Sequence, residues 1–527
     1  MPNNYDVIVI GGGHNGLVCA AYLAKVGRRV LVLERRGVLG GAAATEEVFP
    51  GYRVNTGASE AGLFSSQIVQ DLDLEAHGLR WLESPAIVSA PQPDGRSLTL
   101  WRDMERSQAE IAKFSSQDAG RYPGFTRLVE RFAGLLAEMI RITPPSLPQV
   151  QLGELLPWAR TALKLKGLGE RDMMAFMRVL PMPVADWLDE WFESPALKAA
   201  LGAGGVCGSF LGPRGSGSAL MLLYQAINAG EAVPRAPRFA AGGTGSLSDA
   251  LASSARQYGG EIRSNDEVKR IMIEDGRVVG VELASGEQVR AGVIASSADP
   301  VHTLFGLVGA PNLEVRVVRE VKNIRMRATL ARVNLALERL PGFPESGDGS
   351  PHERLSGRVV IAPTLDYIER AYDQAKYGAF PGRPLLDITI PTLLDPTLAP
   401  PGEHLLCINA YYAPNELKAG DWDSQKDRLL ETVIATLAEY APDLPGGVFH
   451  SQVITPLDLE REYGLTGGDI YHGQMGLDQL LMMRPIAGYG RYRAPVPGLY
   501  FCGAGAHPGG GVTGAPGYNA AREILKQ

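Results

Sequence analysis

The sequence predicts an α/β fold built on a Rossmann-type dinucleotide-binding unit. Three observations point there. A continuous β-branched run, Val7 to Ile10, breaks at Gly11 into a glycine triplet and a helical stretch. A second glycine cluster, Gly242-Gly243-Thr244-Gly245, opens a helix and then strands joined by tight turns. A third, Gly503 to Gly514, follows a short strand and precedes the last helix. Signatures at the start, middle and end of one chain imply that the residues between them are insertions into a single domain.

The first unit carries the most information. An unbroken apolar run is what a parallel strand buried on both faces requires. Gly11, Gly13 and Gly16 then form a G-x-G-x-x-G in which Gly12, His14 and Asn15 fill the variable places. The first glycine permits the tight turn, the second lets backbone approach a pyrophosphate, and the third lets helix pack on strand. Leu17 to Ala24 reads as a helix, with small residues Ala20, Ala21 and Ala24 on the packing side. Its N-terminus offers free N–H groups and the positive end of the helix dipole to phosphate. Gly27 ends the helix, Val30 to Leu33 forms a second strand, and Glu34 follows eighteen positions after Gly16. That offset places an acid on a ribose hydroxyl. A glycine triplet alone is weak among 63 glycines. The full strand, turn, helix, strand, acid series argues for a dinucleotide over a purely structural β-α-β unit.

Composition narrows the class. The 527 residues allow two to four domains, and 45% hydrophobic with 21% charged residues is globular. A net charge of −7 without a long run of either sign argues against nucleic acid. No apolar stretch approaches the roughly 18 residues of a membrane-spanning helix. The apolar N-terminal run lacks the basic flank of a signal peptide. Cys19, Cys207, Cys407 and Cys502 are far apart, without a C-x-x-C. A disulfide framework and a metal site are therefore not expected, and a reducing, cytoplasmic compartment is.

After Glu34 comes Arg35-Arg36-Gly37-Val38-Leu39-Gly40-Gly41-Ala42-Ala43-Ala44-Thr45. The Gly40-Gly41 pair allows another close backbone approach to a ligand. Gly11 to Thr45 resembles the N-terminal signature of FAD-dependent amine oxidases and phytoene desaturases. The resemblance implies FAD as cofactor, held in a glutathione-reductase-like domain, with the glycine pair continuing the site. The family usually has arginine directly after the pair, where this chain has Ala42. A phosphate contact from that position is missing or comes from Arg35 or Arg36.

Residues 66 to 234 look helical, around Phe125 to Ile140 and Met173 to Trp191, with proline breaks at Pro144-Pro145 and Pro181-Met182-Pro183. Met173, Met174, Met177, Met182, Trp187 and Trp191 read as core packing ahead of a substrate tunnel. Leu155 to Lys166 reads as an amphipathic helix, with peripheral membrane contact as the second reading.

Gly242 to Gly245 begins a helix to Tyr258, then Val268 to Ile273, Val278 to Leu283 and Val293-Ile294 with turns at Asp275-Gly276 and Ser285-Gly286. This series is similar to the second FAD-contacting segment of the same family, whose counterpart of Val268 meets adenine through its backbone. No buried strand precedes Gly243-x-Gly245, so a second, nicotinamide-binding fingerprint is not expected. Strands and helices alternate from about 311 to 480. The closing run from Val496 to Gly514, with Gly503, Gly511 and Val512, resembles the final flavin segment of phytoene desaturases. Gly468 to Gly473 and Gln479 to Pro485 match a branch of that family.

These readings predict an FAD-binding domain from 1–65, 235–310 and 480–527, and a discontinuous α+β substrate domain from 66–234 and 311–479. A flavin carries hydride chemistry itself, so no catalytic triad or metal is needed. His472, in a glycine-flanked turn, and His507, inside the last glycine run, are the acid–base candidates, with a structural hydrogen bond as the equal reading for His472 and a structural role ahead of catalysis for His507. Cys502 reads as a small buried residue and not as a flavin attachment point. The resemblance implies hydride transfer on a C–C bond of an apolar, polyene- or isoprenoid-like substrate. An amine oxidase, or a flavin-binding interaction protein with little turnover, are the alternatives. Oligomeric state is not legible.

Overall fold

The computed structural model describes residues 4–145, 152–227, 235–327, 330–344 and 349–526. Among them the chain builds two seven-stranded sheets. The first begins with β1 (Asn4–Ile10), followed by α1 (His14–Lys25) and β2 (Val30–Glu34). β1 lies between β2 and Gln288–Ser296, parallel to both. Glu261–Ser264 extends the sheet in parallel beyond β2, and Leu499–Phe501 pairs in parallel with the end of Gln288–Ser296. The antiparallel strands Val268–Glu274 and Arg277–Leu283 continue from the start of Gln288–Ser296. Every residue of β2 is buried, as its unbroken apolar run demands.

Three distant stretches thus meet at the ends of the parallel strands. Ser297 Oγ donates to the carbonyls of Ile10 and Gly11 at 3.0 and 3.1 Å. A Cβ at Gly503 would lie 2.2 Å from the Ser297 carbonyl oxygen, and one at Gly517 would lie 2.1 Å from that of Asn15. The last helix, Ala515–Ile524, therefore packs on α1 through bare backbone.

The second sheet runs Val448–Ile454, Leu330–Leu337, His404–Tyr411, Leu386–Thr389, Arg358–Ile361, Ala86–Pro91, Ser97–Trp101. Ala86–Pro91 pairs in parallel with Arg358–Ile361, which ties residues before 102 to residues after 329. Helices including Ser116–Met139 and Val184–Asp189 cover this part. Their core is aromatic: the Phe125 ring lies 5.2 Å from Trp187 and 5.1 Å from Phe192.

Three expectations need correction. Met174 and Met177 are 61% and 55% exposed, so they belong neither to a core nor to a tunnel. They project from the outer side of Glu170–Val179, whose Phe176 and Val179 face inward. The helix Leu152–Gly167 leaves Leu155, Leu156 and Leu163 in solvent and buries Thr161. A three-residue strand, Arg238–Ala240, does precede Gly242, yet it pairs antiparallel with Trp81–Glu83 outside the Rossmann sheet and cannot present a nicotinamide fingerprint. Of the described helices, none is long and apolar enough to cross a membrane. The four cysteines are buried free thiols.

Candidate functional site

One cavity opens at the ends of the parallel strands and continues into the second sheet. Gly11, Gly13, His14, Asn15, Glu34, Arg35 and Val268 line its first part. Gly41, Ala42, Ser297, His472, Gly511 and Val512 line the middle. Beyond lie Leu63, Leu330, Ile470 and Tyr471 with a polar group: Glu60, Arg235, Arg332, Arg358, Asp387, Asn409 and Tyr411.

The local reasons are readable. Gly11 sits at φ +93, where only glycine is unstrained, and so β1 turns sharply into α1. At Gly16 a Cβ would fall 2.2 Å from the Gly11 carbonyl oxygen, which makes this glycine a packing requirement. Gly13 differs, because its Cβ would meet nothing closer than the Gly40 carbonyl oxygen at 3.8 Å. Gly40, at φ +113, donates its N–H to the Gly12 carbonyl at 2.8 Å and so stacks the two glycine turns. Gly12, Gly16, Gly40 and Gly503 are thus structural neighbours of the lining, and Gly13 and Gly41 face the space.

Glu34 accepts the Gly12 N–H at 2.7 Å and the Arg36 N–H at 2.8 Å. Asp266 N–H donates to the Glu34 carbonyl at 2.9 Å, which brings Val268 to the same end of the cavity. Arg36 is clamped by Glu46 at 2.8 Å and lies over the Tyr463 ring, and Arg35 donates to the Glu462 carbonyl at 2.6 Å.

A dinucleotide fits these residues. Among the described residues no side chain caps the N-terminus of α1, and its first turn holds no acid to compete with phosphate. His14 Nε2 and Asn15 Oδ1 are buried there without a hydrogen-bond partner among the described residues. Buried polar atoms ordinarily find one.

The structure places the two candidate histidines differently. His472 lines the cavity, but His507 does not: its Nε2 lies 3.3 Å from the Met139 carbonyl, inside the packing of Ser116–Met139. Burial lowers the pKa of His14, His472 and His507 to about 4 each. For His472 the nearby Arg484 adds to this and Asp299 opposes it. At neutral pH all three are neutral imidazoles, so none titrates there as an acid.

The polar group was not foreseen. Asp387 receives Arg358 Nη1 on both oxygens, at 3.1 and 2.9 Å, and also Arg235 Nη2. Arg358 Nη2 donates to Glu60 at 2.5 Å. Burial pushes Asp387 up, but Arg235 and Arg358 outweigh it and hold the carboxyl below its ordinary range. A signal did exist: Arg332 in Leu330–Leu337 and Asp387 in Leu386–Thr389 are single charges inside fully buried strands. Such charges are costly without a partner.

Comparison with known proteins agrees with this geometry. The chain is 37% identical over 543 residues to pyridine nucleotide-disulfide oxidoreductase domain-containing protein 2 of Rattus norvegicus, covering 99% of this chain and 93% of the relative. The chain belongs to that protein's family. One of the subunits of limonene dehydrogenase from Castellaniella defragrans is 30% identical, over 99% of this chain and 94% of its own. Residues 9–67 match the model described as NAD(P)-binding Rossmann-like domain. A structure of putrescine oxidase, 16% identical, superposes with a TM-score of 0.60 over 99% of both chains and shares the fold. Phytoene desaturases from Cereibacter sphaeroides and Fusarium fujikuroi are 24% and 25% identical over 97% and 96% of this chain, and the chain is an FAD-dependent oxidoreductase related to them; the amine oxidases share its fold.

The buried histidines predict acid sensitivity. Their folded pKa of about 4 lies below the ordinary 6.5, so the stability they contribute is complete above pH 6.5 and is lost as pH falls toward 4. At pH 4 each would cost about 3 kcal/mol. Urea unfolding followed by tryptophan fluorescence should show stability falling steeply between pH 6.5 and 4.5. A flat profile there would show that the imidazoles are not buried neutral.

Proposed function

We propose that the protein removes hydride from a C–H bond of a largely hydrocarbon substrate that carries no positive charge, changing the bond order between two carbons. FAD, when bound, supplies the two-electron hydride acceptor for this step. The N–H groups at the start of α1 would hold its pyrophosphate, Glu34 its adenosine ribose, and the backbone at Val268 its adenine. Gly41, Ala42, Gly511 and Val512 would leave backbone, without bulky polar side chains, against the flavin. His472, whose Nδ1 is buried without a partner among the described residues, is assigned the proton that leaves with the second C–H bond.

The observation that carries the choice against amines is the charge of the inner cavity. Among the described residues, three buried guanidiniums there face two carboxylates, Glu60 and Asp387. A protonated amine would meet net positive charge in a poorly screened site. Leu63, Leu330, Ile470 and Tyr471 offer contact to a hydrocarbon body. In this reading residues 66–234 and 311–479 enclose the substrate, and 1–65, 235–310 and 480–527 hold the cofactor. The exposed Leu155, Leu156 and Leu163, with Lys164 and Lys166, are the surface through which a membrane-held substrate would be reached.

Anaerobic titration tests the assignment. Simple primary and secondary amines should leave the flavin oxidised, and an apolar polyene or acyl compound should perturb or bleach its spectrum. Rapid bleaching by an amine would favour an amine oxidase, and indifference to every compound a protein whose work is interaction.

A further inference from the structure

Arg332 is 2% exposed, yet no carboxylate lies within ion-pair distance of it among the described residues. Its Nη1 is fully used, donating to the Gly57 carbonyl, to Ser59 Oγ at 3.2 Å and to Asn409 Oδ1 at 3.0 Å. Its Nε and Nη2 make no hydrogen bond among the described residues, with the buried, neutral Cys407 thiol beside the guanidinium, and Arg332 lines the cavity. Nε–H and the neighbouring Nη2–H share one edge of the guanidinium plane, the side-on fork that matches two oxygens of a carboxylate. A buried guanidinium held by neutral groups, with that fork unused, is strongly unfavourable unless an anion completes it.

Its position matters as well. Gly57 is followed by Ala58, whose N–H donates to the Ala42 carbonyl at 2.5 Å, so Arg332 stands beside the Gly40-Gly41-Ala42 turn. Arg235 and Arg358 stand in the same cavity, braced by Asp387 and Glu60, and each leaves its Nε without a partner among the described residues. Among the described residues of this inner group, three guanidiniums against two carboxylates leave one positive charge. A carboxylate brings one negative charge, and a phosphate monoester about 1.5 to 2. The count fits the carboxylate.

We infer that the substrate is a carboxylic acid with an apolar body, its carboxylate held side-on by Arg332 next to the cofactor loop. This rests on the oxidoreductase reading above and adds to it the class of substrate and the residue that selects it. Arg332 is a substrate-binding residue in this scheme, and the Arg235–Asp387–Arg358 group sets the charge that favours an anion.

The test uses the FAD-loaded full chain and four ligands with one body: geranic acid, methyl geranate, geraniol and geranyl phosphate. Binding is read from the visible flavin spectrum. The acid should bind at least about tenfold more tightly than the ester or the alcohol, as charge-assisted bidentate bonds allow. Arg332→Gln should abolish that preference, so that acid and ester bind alike, in a protein that still purifies with FAD. Arg332→Lys, which keeps the charge and loses the fork, should retain only part of it, and provides the comparison should the glutamine variant not fold. Equal binding of acid and ester, no binding of the acid, tighter binding of the phosphate, or a preference that survives in both variants would each overturn the inference. The reduction experiment above reads the parent proposal separately, through bleaching of the flavin and not through binding, so the two can fail independently.

Discussion

Gly13→Asp is expected to give a folded protein that purifies without flavin. The side chain at this position has room, since a Cβ would meet nothing closer than the Gly40 carbonyl oxygen, at 3.8 Å. Its carboxylate would project into the cavity at the uncapped start of α1, in the place a pyrophosphate would take. Two like charges that close, with little water between them, repel by several kcal/mol, so FAD affinity should fall by more than a thousandfold. Gly16→Ala is the informative contrast. There a Cβ would press within 2.2 Å of the Gly11 carbonyl oxygen, and the helix would have to move off the sheet. The first variant should keep the wild-type circular dichroism and lose the yellow colour; the second should lose stability as well. An aspartate variant that retained FAD at wild-type affinity would remove the pyrophosphate from this loop.

The contrast also shows what a sequence exposes to reading. The glycine turns were legible because backbone geometry allows few residues at φ +93 or +113, and the adjoining apolar runs fixed the strands on either side. Glu34 was legible by its offset from those glycines. The inner cavity was not, for a physical reason: Glu60, Arg235, Arg332, Arg358 and Asp387 come from five separate segments, and Arg358, Asp387 and Arg332 come together because Arg358–Ile361 pairs with Leu386–Thr389, that strand with His404–Tyr411, and that one with Leu330–Leu337. Non-local pairing carries no local pattern. Met174 and Met177 failed the opposite way: residue type suggested burial, and tertiary packing turned that side of the helix outward. The turn of π-helix at His302–Val308, which brings His302 to the cavity wall, also had no signature in the chain.

Asp387→Ala is expected to cost about 3 to 5 kcal/mol of folding stability, the range for removing one partner of a buried ion pair. The carboxylate is buried between Arg358 and Arg235. Both guanidiniums would stay charged, because an arginine side chain does not give up its proton inside a protein near neutral pH. The loss is therefore the penalty for leaving two positive charges 5% and 7% exposed with only Glu60 beside Arg358, and not the modest net worth of an ion pair. An exposed pair calibrates this: Arg214 and Asp366 also form an ion pair at 2.7 Å, but their side chains are 54% and 63% exposed. Water screens that pair, so Asp366→Ala should cost at most about 1 kcal/mol. Urea unfolding of the two variants at pH 7 should separate them by at least about 2 kcal/mol, the difference between those ranges. Equal, small losses would mean that water reaches the Asp387 group freely, and with it the charge argument against a cationic substrate would fall.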